Sequence, residues 1–153
     1  MNPTDHLASN SGRNPVDDGS LSRLKVIWLQ VATEHRSFPL DHAYVELVYT
    51  PLVGASAVMF LRRLALLAHD DEPIDVDCVL LARELGMRSR DDRPLGRNSP
   101  FMKSLHRLEH HQLARWLGPR RLGVYRQAPS LPDAHVPNLP ESARRIHLRY
   151  LRT

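Results

Sequence analysis

His106, Glu109 and His110 stand in the order His-x-x-Glu-His inside the stretch "NSPFMKSLHRLEHHQLARW" (Asn98–Trp116). On a helix, His106 and His110 lie one turn apart on one side. Two imidazoles so placed can hold a zinc ion, and a carboxylate between them can act as general base toward a bound water. The same stretch sets Lys103, His106, Arg107 and His110 at helical spacing. That is the pattern of a basic face offered to a nucleic acid. The rest of the chain has to weigh the two chemistries.

The histidine pattern is that of inverted zinc peptidases. A catalytic zinc needs a third protein ligand, and its histidines are normally buried and oriented by further partners. Downstream of the motif the only carboxylates are Asp133 and Glu141, both around a proline-rich link, and little chain remains to build a substrate cleft. His106 and His110 also share their side with Lys103 and Arg107, which repel a dication. A metal held by His106, His110 and His111 is the weaker alternative. The sequence shows no glycine-rich phosphate loop, nucleophile elbow or carboxylate pair. The reading is therefore no enzyme, no cofactor and no metal.

With 153 residues the chain is long enough for one domain and a tail. Residues 1–20 are polar and contain Asp5, Asp17 and Asp18, unlike a signal peptide. The most apolar run, Leu52–Ala68, is broken by Arg62 and Arg63 and is too short to span a bilayer. A single cysteine, Cys78, excludes an intrachain disulfide and a cysteine zinc site. These features predict a cytoplasmic protein. The net charge is +4, unevenly placed. Residues 97–127 hold Arg97, Lys103, Arg107, Arg115, Arg120, Arg121 and Arg126 against Glu109 alone. Charge of one sign gathered this way suits a polyanion, although a solvated basic face gives the same pattern.

The elements that would position these residues can be read in order. Residues 1–20 read as a disordered lead. "LKVIWLQV" (Leu24–Val31) suits a strand. Asp41 is placed to cap a short helix over "HAYVELVY". From Ala55 to His69 the spacing of Val58, Leu61, Ala65 and Ala68 predicts a helix, with Met59, Leu64 and Leu67 broadening its apolar stripe. Ile74–Val76 suits a short strand. Asp77 can cap a helix over Cys78–Leu85 that Gly86 ends. Ser99 can cap a third helix with Pro100 at its first position. Phe101, Leu105, Leu108 and Gln112 then form its apolar side. "LARWL" and "LGVYR" read as two strands around Gly118-Pro119-Arg120-Arg121. Pro129, Pro132 and Pro137 mark a link, and Pro140 opens a last helix with Leu139, Ala143, Ile146 and Tyr150 on one side.

From Ala55 to Arg126 this order resembles the winged helix-turn-helix superfamily. The stretch "VDCVLLARELGM" stands for its second helix, and "NSPFMKSLHRLEHHQLARW" for the third helix entering the wing. The resemblance implies a mainly α fold with a small β-wing, an N-terminal strand/helix extension and a C-terminal helix. It also implies that the third helix lies in the major groove and the wing on the backbone. The link Arg88–Asn98 is longer than the usual turn of about three or four residues. Val48, Tyr49, Pro51, Leu52, Val53, Gly54 and Ala57 further resemble the entry into the N-terminal winged helix of DnaD/DnaB-type helicase-loading proteins, which implies self-association and work with replication machinery.

The expected organisation is a tail over 1–20, a winged-helix domain with its extension over 21–127, and a link with a helix over 128–153. The expected function is a small regulatory DNA-binding protein acting as a homodimer on double-stranded DNA. The dimer contact would lie in "LKVIWLQV", the helix before Pro51 or the last helix. The expected DNA-binding residues are Arg97, Ser99, Lys103, His106, Arg107, His110, Arg115, Arg120, Arg121 and Arg126. A protein-interaction module, possibly replication-associated in its partner, is the alternative.

Overall fold

The computed structural model describes residues 22–152, so the expectation for 1–20 lies outside the described residues. The fold is mixed α/β around a small sheet. Strand β1 (Arg23–Leu29) is followed by β2 (Ser37–Pro39), a π-helical turn (Val45–Tyr49) and α1 (Thr50–Val53). Helix α2 (Ala55–Leu67), β3 (Ile74–Asp77), α3 (Cys78–Glu84) and α4 (Pro100–His110) come next. Strands β4 (Ala114–Gly118), β5 (Arg121–Tyr125) and β6 (Gln127–Pro129) precede a 3-10 segment (Asp133–Asn138) and α5 (Glu141–Arg152).

The main sheet runs in the order β3-β1-β5-β4. Strand β1 pairs antiparallel with β3 and parallel with β5, so both of its edges are occupied. Read from sequence, this segment is an appendage. In the structure it is an inner strand, which makes the β content larger than a small wing. Its alternation explains the place: Leu24, Val26 and Trp28 are buried on one side. Val76, Leu122, Val124 and Ala114 join them there. With both edges hydrogen-bonded, β1 has no free ladder with which to join a second copy.

Local signals set the helix ends. The Asp77 carboxylate accepts from Val79 N at 3.1 Å and Leu80 N at 3.2 Å, as a cap should. Gly86, at φ +70°, ends α3, and Met87 N donates back to Ala82 O at 2.7 Å. Asp41 is not the cap expected ahead of the π-helical turn. His42 Nδ1 accepts from Tyr44 N at 3.0 Å instead. The widened π turn keeps Tyr44, Val45, Val48 and Tyr49 fully buried. On α2, Val58, Leu61 and Leu64 are buried as expected, but Met59 and Leu67 are about half exposed, at 48% and 50%. An apolar side chain on a helix surface is ordinary, so periodicity overcounts the stripe there.

The C-terminal segment closes the core. The boundary expected after residue 127 falls within β6, which pairs with β2 through Phe38 opposite Ala128. Leu131, Leu139 and Ala143 are buried in the same core. A buried polar contact fastens α5: Tyr44 Oη lies 2.7 Å from His147 Nδ1 and accepts from Leu131 N at 2.9 Å. Since the Leu131 amide takes an acceptor site of the phenol, the phenol proton is left to donate to His147 Nδ1, which must then be unprotonated.

Burial holds His147 below the ordinary histidine value, and Asp133 opposes this less strongly. The unfolded chain therefore binds the proton more readily than the folded one, and stability rises with pH. The contribution is full above the ordinary histidine value of 6.5 and is lost as pH falls through it. His147→Gln is expected to lose less thermal stability than wild type between about pH 7.5 and about pH 5.5. Thermal midpoints measured across that range check this, and equal slopes for the two proteins would contradict it.

Candidate nucleic-acid interface

Helix α4 begins where Ser99 sends its side-chain oxygen to Met102 N at 3.0 Å, with Pro100 at the first helical position. It ends when Gln112 takes a left-handed φ of +59°. Gln112 N donates to Glu109 O and Leu113 N to Leu108 O, so the last carbonyls are satisfied. Gln112 is thus a helix terminator and is exposed, not part of the apolar side.

That side consists of Phe101, Ser104, Leu105 and Leu108, all buried. Phe101 meets Phe60 of α2 edge to face, with ring centroids 5.6 Å apart. Ser104 Oγ donates to Met87 Sδ at 3.3 Å. Helical geometry then obliges Lys103, His106, Arg107 and His110 to face outward, and all four are exposed. Neither Lys103 nor Arg107 makes an ion pair with a described residue. Arg107 leans toward the corner before α2, where a Cβ on Gly54 would lie 3.2 Å from its Nη1. A shallow depression beside it is lined by Leu52, His106 and Glu109.

The long link before α4 is folded on itself. Asp92 draws Arg83 of α3 to 2.9 Å and Arg88 to 3.6 Å. Ser99 Oγ also donates to Pro94 O. Asp92 is thus engaged with Arg83 and Arg88, while Arg97 is exposed and makes no ion pair with a described residue.

The ten expected residues do not form one surface. Lys103, His106, Arg107 and His110 share the outer side of α4. Strand alternation puts Arg115 and Arg121 on the sheet face turned away from the core, with Arg121 opposite Lys25. Ile27, Leu29, Leu117 and Tyr125 share that face around Gly123, where a Cβ would lie 2.8 Å from Leu29 Cδ1. Arg120 sits at the β4–β5 turn with φ +55°. Two residues stand apart. Ser99 is buried, with its hydroxyl used by the cap and by Pro94. Arg126 turns back to Asp71, 3.5 Å away, with its guanidinium over the Trp28 ring.

Sequence reasoning did not single out the end of α4. His111 packs between His110 and His135, at ring-centroid distances of 5.0 and 5.5 Å. Burial, reinforced by these two neighbours, lowers the His111 pKa. Its Nδ1 is buried without a hydrogen-bond partner. The adjacent pair His110-His111 was the visible signal, but His135 arrives through the fold. Among the described residues no three His, Cys, Asp or Glu side chains are grouped to hold a metal ion, and no helix is long and apolar enough to cross a membrane.

Compared with known proteins, the chain matches no family model, no curated protein and no solved structure. The interface is therefore argued from its own geometry. That geometry makes the two sides of α4 unequal. Leu105→Ala is expected to cost about 2–5 kcal/mol of stability. Lys103→Ala is expected to stay within about 0.5 kcal/mol of wild type. Chemical denaturation of both variants measures the contrast, and similar losses would contradict the assignment of sides.

Proposed function

We propose that this chain is a small winged-helix DNA-binding protein, regulatory in role and without catalytic activity. In this reading α2, β3, α3, α4 and the β4–β5 hairpin are the winged-helix elements. Helix α4 enters the major groove, and Arg120 at the hairpin turn, with Arg121 beside it, contacts the backbone. The observation that carries the reading is the division of α4: Phe101, Leu105 and Leu108 fully inside, Lys103 and Arg107 outside without ion pairs to described residues. Arginine can donate two hydrogen bonds to guanine, worth about 1–3 kcal/mol against a wrong base. Lysine and the remaining arginines supply phosphate contacts that do not depend on sequence.

Self-association fits exposed apolar residues on two elements expected to serve it. Leu47 of the π-helical turn and Leu148 and Leu151 of α5 are 44%, 43% and 38% exposed, and these elements pack on each other. A homodimer through this surface would present two copies of α4 to one duplex.

A second reading, a protein-interaction module of the helicase-loader kind, is favoured by a different observation. Met59 and Leu66 lie seven residues apart on one side of α2, and Leu66 is 79% exposed. The corner with Gly54 at φ +88° and the buried Ala57 also suit that likeness.

The experiment is fluorescence anisotropy of a labelled random duplex at two salt concentrations. Binding is expected to weaken steeply with salt as counterions are released. The double variant Lys103→Ala/Arg107→Ala is expected to lower affinity at least about tenfold and to reduce the salt slope by about two. Arg120→Ala/Arg121→Ala is expected to weaken all sequences alike. Absence of binding at low salt would remove the DNA reading and leave the protein-interaction one.

A further inference from the structure

A cleft of about 660 Å³ opens where the parallel strands β1 and β5 end, against the last turn of α4 and the link after β6. That volume lies in the range of small-molecule sites. Three features of its lining point to a ligand. Tyr125, Pro129 and Pro132 supply flat walls. His111 also lines the cleft, and its buried Nδ1 has no partner in the protein. Asp133 stands at the opening as an exposed carboxylate and makes no ion pair with a described residue. Beside His111, Gln112 is held at φ +59°, a conformation that side chains other than glycine rarely adopt.

The chemistry of the lining selects the ligand class. A carboxylate accepts hydrogen bonds and attracts a cation. A neutral imidazole whose Nδ1 lacks a proton accepts one more. Flat walls favour a planar ring. We propose that this cleft binds a small planar amine, with its ring between Tyr125 and the two prolines, a ring N–H donating to His111 Nδ1 and its ammonium beside Asp133. The site does not depend on DNA binding and is tested without DNA.

Tryptamine carries these groups and serves as the probe, with indole-3-acetate, which bears a carboxylate in place of the amine, as control. Calorimetric titration of the full chain is expected to show saturable binding of one tryptamine and no binding of indole-3-acetate. Asp133→Asn, at an exposed position, is expected to weaken binding at least about tenfold, the loss of one charge-assisted contact. His111→Phe keeps the ring packing and removes the acceptor, and a similar loss is expected. No saturation at millimolar tryptamine would overturn the proposal. So would equal binding of indole-3-acetate, or a folded Asp133→Asn protein that binds as wild type does. Should His111→Phe fail to fold, the Asp133 variant and the carboxylate control still decide.

Discussion

The burial of one side of α4 against α2 is the constraint on which the surface of this molecule depends. Phe101, Leu105 and Leu108 are fully withdrawn from water, and the edge-to-face contact of Phe101 with Phe60 fixes the rotation of the helix about its axis. Burying each such side chain contributes about 1.5–3 kcal/mol. Turning α4 to hide its basic side would forfeit that and bury Lys103 and Arg107, which costs more. The cap at Ser99 and the terminator at Gln112 fix where the helix starts and stops. What remains outward is therefore a matter of packing, not of side-chain preference.

Strand β1 adds the second constraint. By entering between β3 and β5 it turns a hairpin and a short strand into a four-stranded sheet with two distinct faces. The inner face carries the core. The outer face carries Lys25, Arg115 and Arg121 around an apolar centre at Gly123. The basic charge that looks continuous in sequence is thereby divided between the outer side of α4 and the outer side of the sheet. The same insertion sets the ends of β1 and β5 side by side, which builds the cleft against His111.

What the sequence made legible is what single residues decide locally. Asp77 and Ser99 as caps, Gly86 as a stop and the Gly118–Arg121 turn each follow from one side chain or one backbone preference. The apolar period of α4 was equally plain, because Phe101, Leu105 and Leu108 recur at helical spacing. Contacts distant along the chain were not legible. Tyr44 and His147 stand 103 positions apart, and nothing near either announces the other. Arg126 sits beside the hairpin in sequence, yet Asp71 and Trp28 draw it away. Whether an apolar residue on α2 is covered depends on what packs there, so Met59 and Leu67 were counted inside although they lie outside. The histidines show the same limit: His106 and His110 form a motif on paper, while the ring cluster in the fold is His110, His111 and His135.

The account stands or falls on which surface meets a nucleic acid. α5 offers a competing set of exposed arginines, Arg144, Arg145, Arg149 and Arg152. Amide chemical-shift mapping of the labelled protein during titration with a short duplex at low salt separates them. The largest changes are expected along Lys103–His110 and at Arg120 and Arg121, with α5 unmoved. Changes confined to α5, with the α4 amides undisturbed, would contradict it.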